Sequence, residues 1–278
     1  MYTDVETQTS YEYLQKVVSI LEEPICIIGG WAVFLTVNPL YRNRFGNPYL
    51  GSKDIDLGFH LEEDWTKKKL EKSSFSNALK RLREDGYENV GFRMVKHLDR
   101  ETGIPLTKSE QYDKPLYNQF QMYIDLMVDN IPSTFKETFH MNPIDEPLLK
   151  HVFANEINRV ELEEFSRKLY LPTPAILLST KLRALPGRNK KHKRMKDIHD
   201  IVALLLFSKN NLEIRQEALQ YISMNEYKTV LTNITPSEKK QVANTFGVQQ
   251  KEIETAFANL MKVDNSSIEL KKKINLKS

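Results

Sequence analysis

The sequence predicts an α+β protein, with a mixed sheet flanked by helices over residues 1–172 and an all-helical domain over residues 173–278. Three observations carry this. Short apolar runs at 25–28, 55–59, 91–97 and 117–128 read as strands and alternate with stretches of helical periodicity. Past Leu171 apolar residues return only at helical spacing. Thr173-Pro174, at the change of character, pairs an N-cap residue with the residue best suited to a first helical position.

The elements follow in order. Thr9-Ser10-Tyr11-Glu12 reads as a capping box, behind which Leu14, Val17, Val18 and Leu21 recur at helical spacing up to Pro24. Ile25 to Ile28 form a short buried strand. Gly29-Gly30 then turns into a helix carrying Ala32, Val33 and Leu35 that ends near Asn38-Pro39, and 41–52 reads as a loop. Ile55, Leu57 and Phe59 alternate with Asp54, Asp56 and Gly58, a half-buried strand with both acids on one face. A helix over 74–85 buries Phe75, Ala78, Leu79 and Leu82, and Gly86 stops it. Residues 101–114 are polar and read as a turn or loop, and 152–162 and 168–171 read as extended. The last part holds a helix from Pro174 to Pro186-Gly187, a long apolar helix over 195–207, further helices and a lysine-rich tail.

Composition is that of a water-soluble globular chain, 40% apolar and 28% charged, with a net charge of only +3. No whole-molecule field therefore argues for nucleic acid. One cysteine, Cys26, admits no internal disulfide and fits a reducing, cytoplasmic setting. The polar N-terminus lacks signal-peptide character, and no apolar stretch reaches the ~20 residues of a membrane span, so no membrane partner is expected.

The chemistry sits in two signatures and a third acid. A glycine pair such as Gly29-Gly30 can bring bare backbone N–H groups against a phosphate. Asp54 and Asp56, at i and i+2 of a strand, lie roughly 6–7 Å apart at Cα on one face. Aspartate is disfavoured in strands, and the repulsion of two is relieved by a divalent cation; solvent-facing residues of an edge strand are the plainer alternative. Asp125, inside the apolar run from Phe120 to Val128, completes a three-carboxylate cluster if its strand lies beside that of Asp54. Such a set suits Mg²⁺, or Mn²⁺, with triphosphate oxygens filling the remaining positions, and lets Asp125 also help deprotonate an attacking hydroxyl. Asp129, a full ~13 Å further along the strand than Asp125, caps its end.

The order Gly29-Gly30, Asp54-x-Asp56, Asp125 resembles the DNA polymerase beta-like nucleotidyltransferase superfamily. The interval from Gly30 to Asp54 is longer than in its minimal members. The segment with Arg42, Arg44 and Ser52 before Asp54 is instead similar to the AbiEii/MenT-type toxin branch. The same branch is matched by 174–185 with Lys181, then Arg188, then Lys196-Asp197 and Asp200.

The resemblance implies a nucleotidyltransferase catalytic domain over 1–172 and a helical domain over 173–278 that completes the nucleotide site. It implies an NTP substrate held by Gly29, Gly30, Ser52, Lys53, Lys181, Arg188, Lys196, Asp197 and Asp200. Lys181 contacts its phosphates, and Asp197 and Asp200 orient Lys181 and neighbouring basic groups or touch the nucleotide. The acceptor implied is RNA, with the tRNA 3′ end foremost, and the partner a cognate antitoxin protein. Without it, Lys181 is a lysine snorkelling from a helix face, and Asp197 and Asp200 are acids in a helix's first turn.

Six of the nine residues from Arg188 to Lys196 are basic, either a solvated face or a rim for triphosphate or RNA backbone. His192 and His199 have no zinc-ligand spacing. Residues 241–253 loosely fit a helix-turn-helix, or else a packing hairpin. Two other functions stay open: a small-molecule, antibiotic-type nucleotidyltransferase recruiting Glu62-Glu63-Asp64, and a nucleic-acid-binding protein without catalysis.

Overall fold

A computed structural model describes residues 4–165, 167–209 and 211–261 of the 278; the lysine-rich tail lies outside the described residues. The chain divides into two compact units. The first comprises the residues up to Leu35 together with Pro48–Thr173, and the second Thr36–Asn47 together with Pro174 onward.

Unit one is built on a mixed sheet of β1 (Ile25–Ile28), β2 (Ile55–Phe59), β3 (Glu88–Val90), β4 (Arg93–Asp99), β5 (Gln119–Val128), β6 (Ile144–Asp145), β7 (Arg159–Glu164) and β8 (Arg167–Pro172). Its order is β3-β4-β5-β2-β1-β8-β7, with β6 also pairing β5. The β2–β5 and β1–β8 pairs are parallel, whereas β1–β2, β4–β5 and β7–β8 are antiparallel. The central strands β1, β2 and β5 carry the fully buried Ile25, Ile27, Ile55, Leu57, Phe59, Ile124 and Val128. Helices α1 (Asp4–Ile20), α2 (Gly29–Phe45), α3 (Lys67–Leu70), α4 (Ser74–Glu84), α5 (Lys108–Asp113), α6 (Phe135–Phe139) and α7 (Leu149–Ala154) intervene. On α4 the apolar stripe Phe75, Ala78, Leu79, Leu82 is buried, and Ser73 caps it by accepting from Ser76 N.

Unit two is helical: α8 (Pro174–Ala184), α9 (Lys191–Phe207), α10 (Asn211–Ala218), α11 (Met224–Thr232), α12 (Pro236–Phe246) and α13 (Gln250–Met261). From Met195 to Leu205 α9 is buried almost all round, the signature of a central helix. Among the described residues no helix is long and apolar enough to cross a membrane. The α+β class expected from the sequence is the class observed.

Several local expectations are corrected. Thr9 and Ser10 do not cap a helix: α1 begins at Asp4, both are buried within it, and Ser10 Oγ accepts from Trp31 Nε1 at 3.2 Å. Helix α2 does not end at Pro39 but runs through it to Phe45. Tyr41 and Phe45 pack on each other (centroids 4.7 Å apart) and on Phe207 (5.2 and 5.6 Å), and Arg44 forms a fork to Glu252 at 2.6 and 3.0 Å. Tertiary burial thus outweighs the missing proline N–H. The polar stretch 101–114 contains α5, opened by a full capping box between Thr107 and Glu110. The stretch read as extended from Val152 starts inside α7, which buries Leu149 and Val152, and strand structure begins only at Arg159. The helix expected over 195–207 begins earlier, at Lys191, and takes in most of the basic run 188–196. Residues 241–253 form a helical hairpin turned by Gly247 in the left-handed region, with Val242, Ala243, Phe246 and Ile253 buried.

Candidate active site

Parallel pairing of β2 with β5 sets Asp56 opposite Asp125. Neighbours in such a ladder lie about 4.8 Å apart, with side chains on one face. Asp54 immediately precedes β2 and reaches the same place, since Arg93 Nη2 lies 2.6 Å from Asp125 Oδ2 and 3.5 Å from Asp54 Oδ2. Asp125 is 5% exposed, so the sheet withdraws it from most of the solvent that would stabilise its charge.

Gly29 bounds the cluster on another side. It opens α2 with φ +64, and a β-carbon there would lie 2.6 Å from Asp56 Cγ and overlap Oδ2 outright. The carboxylate of Asp56 therefore sits against bare backbone at a helix N-terminus, where the aligned peptide dipoles favour an anion. Gly30 serves the neighbouring residue: its β-carbon would lie 2.8 Å from Ser52 Oγ. Gly29, Gly30, Ser52, Asp54, Asp56 and Asp125 are thereby brought together. Lys53 is directed elsewhere, its ammonium 3.8 Å from Glu6 and 5.2 Å from the Phe120 ring centroid.

Arg93 was not among the residues singled out from sequence. It stands on β4, paired antiparallel with β5 so that Arg93 faces Asp125 in register. Burial opposes its charge, but the hydrogen bond to Asp125 and the charges of Asp125, Asp54 and Asp56 outweigh this and hold its pKa above the usual arginine value. The strand over 91–97 was visible, but its register across the connection from Arg100 to Asn118 was not.

The donor set is three hard carboxylates, the chemistry that divalent Mg²⁺ or Mn²⁺ requires. As they stand, no three Asp, Glu, His or Cys side chains among the described residues are arranged to hold a metal ion. Arg93 supplies the positive charge between Asp54 and Asp125. The residues fit a divalent cation by chemistry and by the presence of this stand-in cation.

Asp129 closes the far end of β5. Its Oδ1 accepts from Leu61 N at 2.9 Å and its Oδ2 meets His60 Nδ1 at 2.5 Å, a strand-end role rather than a place in the cluster.

The second predicted group lies within the helical unit. Lys181 Nζ bonds Asp197 Oδ1 at 2.9 Å and forms an ion pair with Asp200 Oδ2 at 2.8 Å; Arg188 Nε bonds Asp197 Oδ2 at 2.5 Å; Lys196 Nζ bonds Asp200 Oδ1 at 2.5 Å. Burial disfavours the Lys181 charge, yet Asp200 and Asp197 outweigh it and raise its pKa. For Lys196 burial wins and the pKa falls. Lys181 is therefore no snorkelling lysine, and Asp197 and Asp200 lie beyond α9's first turn as partners of buried cations. Arg188 is the most exposed cation of the group. Burial lowers the His199 pKa, and its Nδ1 bonds Met195 O at 2.7 Å.

A crystal structure of an antigenic nucleotidyltransferase-like protein from Paracoccidioides brasiliensis is 17% identical, covering 88% of this chain and 93% of that one, with a TM-score of 0.38. Comparison with curated proteins gives no match. The model of the nucleotidyl transferase AbiEii toxin family, type IV toxin–antitoxin system, matches residues 42–264, a span that holds Asp54, Asp56, Asp125 and the Lys181–Asp200 group. The chain belongs to the AbiEii family of nucleotidyl transferase toxins.

Proposed function

We infer that this nucleotidyltransferase moves a nucleoside monophosphate from an NTP to a hydroxyl of RNA, with the tRNA 3′ end the foremost acceptor, and that it needs Mg²⁺ or Mn²⁺. The observation that carries the reading is the juxtaposition of Asp54, Asp56 and Asp125 beside the N-terminus of α2. Asp54, Asp56 and Asp125 would hold the divalent ion, which when bound would supply positive charge to the triphosphate oxygens. The acceptor oxygen attacks the α-phosphorus, the bond to the bridging oxygen breaks, and pyrophosphate leaves with that electron pair. Asp125, buried and adjacent, takes the acceptor's proton. The family resemblance assigns Lys181 to the phosphates, and its two aspartate partners keep the ammonium charged and fixed. A cognate antitoxin partner follows from the same family.

RNA as acceptor is supported by the start of α9. Lys191 and Lys193 stand in its first turn and Lys190 at its N-cap, with no acid in that turn. Cations at a helix N-terminus oppose the dipole, and a polyanion relieves both terms. The test is incubation with each α-labelled NTP, Mg²⁺ and total RNA. Label in tRNA that Asp56→Ala abolishes is the expected result, and label in no RNA with any NTP overturns it.

A further inference from the structure

The cation between the acids is part of the chain itself. Arg93 engages them through Nη2 alone; its Nε has no hydrogen-bond partner among the described residues. The contact is thus one nitrogen reaching two carboxylates, not the two-pronged fork that makes arginine–carboxylate pairs hard to exchange. The guanidinium also lies over two rings, its carbon 4.7 Å from the Tyr123 centroid and 5.5 Å from that of Phe92. Those rings hold it by cation–π attraction whether or not the carboxylates do.

We propose that Arg93 is the resident counter-cation of the Asp54, Asp56, Asp125 cluster and that a divalent metal ion enters by exchange with it. The proposal rests on the reading of these acids as metal ligands. The atoms in competition are Asp125 Oδ2 and Asp54 Oδ2, which Nη2 now occupies. A metal ion bonding them at about 2.1 Å takes the lone pairs that the guanidinium uses. Metal-free, Arg93 offsets the repulsion among carboxylates that would otherwise loosen the β2–β5 pairing. Arg93 is accordingly a positioning residue that sets how tightly metal binds.

The experiment reads metal binding with no nucleotide present, on the full chain, by the loss of the free Mn²⁺ electron-paramagnetic-resonance signal. Arg93→Gln is expected to bind Mn²⁺ about tenfold or more tightly than the wild type, because one repelling charge is gone. Arg93→Lys, which keeps the charge, is expected to stay within about threefold of wild type. Equal or weaker Mn²⁺ binding by folded Arg93→Gln overturns the proposal. A second measurement needs no variant: modification of wild-type Arg93 by phenylglyoxal, followed by mass spectrometry, is expected to rise several-fold with Mn²⁺. No rise, or protection, counts against the exchange. Mn²⁺ binding that Asp125→Asn removes preserves the metal reading even if Arg93→Gln behaves as wild type, and absence of Mn²⁺ binding in every form ends both.

Discussion

Gly29 and Asp56 share one volume: the space where any other residue at position 29 would place its β-carbon is filled by the carboxylate of Asp56. Gly29→Ala therefore meets a clash and a backbone held at φ +64. We expect a stability loss of about 1–3 kcal/mol and loss of nucleotidyl transfer. Gly247→Ala shares the φ of +64 but meets nothing within 4 Å, and is expected to cost about 1 kcal/mol with transfer intact. Urea denaturation alongside a transfer assay separates the two; equal losses of activity would contradict the assignment of Gly29.

Asp56→Asn and Asp125→Asn keep the shape of the paired strands and remove charge. Transfer is expected to fall by about two to three orders of magnitude in each. Circular dichroism should stay that of the wild type. Activity within tenfold of wild type in either variant would remove that residue from the chemistry.

Lys181→Met leaves Asp197 paired with Arg188 and Asp200 with Lys196 but removes the ammonium shared by both, and a stability loss of about 1–3 kcal/mol is expected. Burial raises the Asp200 pKa, but Lys181 and Lys196 outweigh it and hold it below the ordinary 3.8. Its contribution to stability is full above that ordinary value and is lost as pH falls through the lower folded one. Urea midpoints measured in acid should therefore converge for wild type and Asp200→Asn, and a constant gap would refute the linkage.

His60 works in the opposite direction. Burial lowers its pKa, but hydrogen bonds to Asp129 and Glu62 win and raise it above the ordinary 6.5. Its stabilising contribution is full below that value and disappears as pH rises through the folded one. Stability of wild type relative to His60→Gln should decline across that window, as followed by thermal melts in a pH series. A pH-independent difference would show that His60 acts through packing alone.

Tyr41→Ala tests the extended α2. The ring is 6% exposed and packs edge-on to Phe207 and Phe246. A loss of about 3 kcal/mol or more is expected by urea titration; a loss under about 0.5 kcal/mol would be the behaviour of a surface loop residue.

What could be read from the sequence was what depends on local pattern. The alternation of Ile55, Leu57 and Phe59 around Asp56 marked both a strand and an acid on its other face, and Asp125 stood out as a charge in an apolar run. The partner Arg93 was hidden because the register of β4 on β5 is set across the connection from Arg100 to Asn118. Thr9 to Glu12 matched a cap by composition, yet Ser10 turns inward to Trp31, while the working box at Thr107 and Glu110 sat in a stretch whose polarity suggested a loop. Pro39 suggested a helix end because the gain from burying Tyr41 and Phe45 comes from residues some 160 to 200 positions later. The pairing of Lys181 with Asp197 and Asp200 was anticipated only through the family resemblance, because nothing in its own helix announces it.

The course of α2 has a consequence for how this gene can be dissected. Its opening turn carries Gly29 in the unit with the carboxylates, and its last turns, from Thr36, belong to the helical one. A stop codon after Pro172 would therefore not release a self-contained half, because Tyr41 and Phe45 would be left without the rings that cover them. Swapping either half with a relative's demands three junctions, after Leu35, Asn47 and Thr173, rather than one. The enzyme is interleaved, and its helical part is an inseparable companion instead of an appendage added at the end.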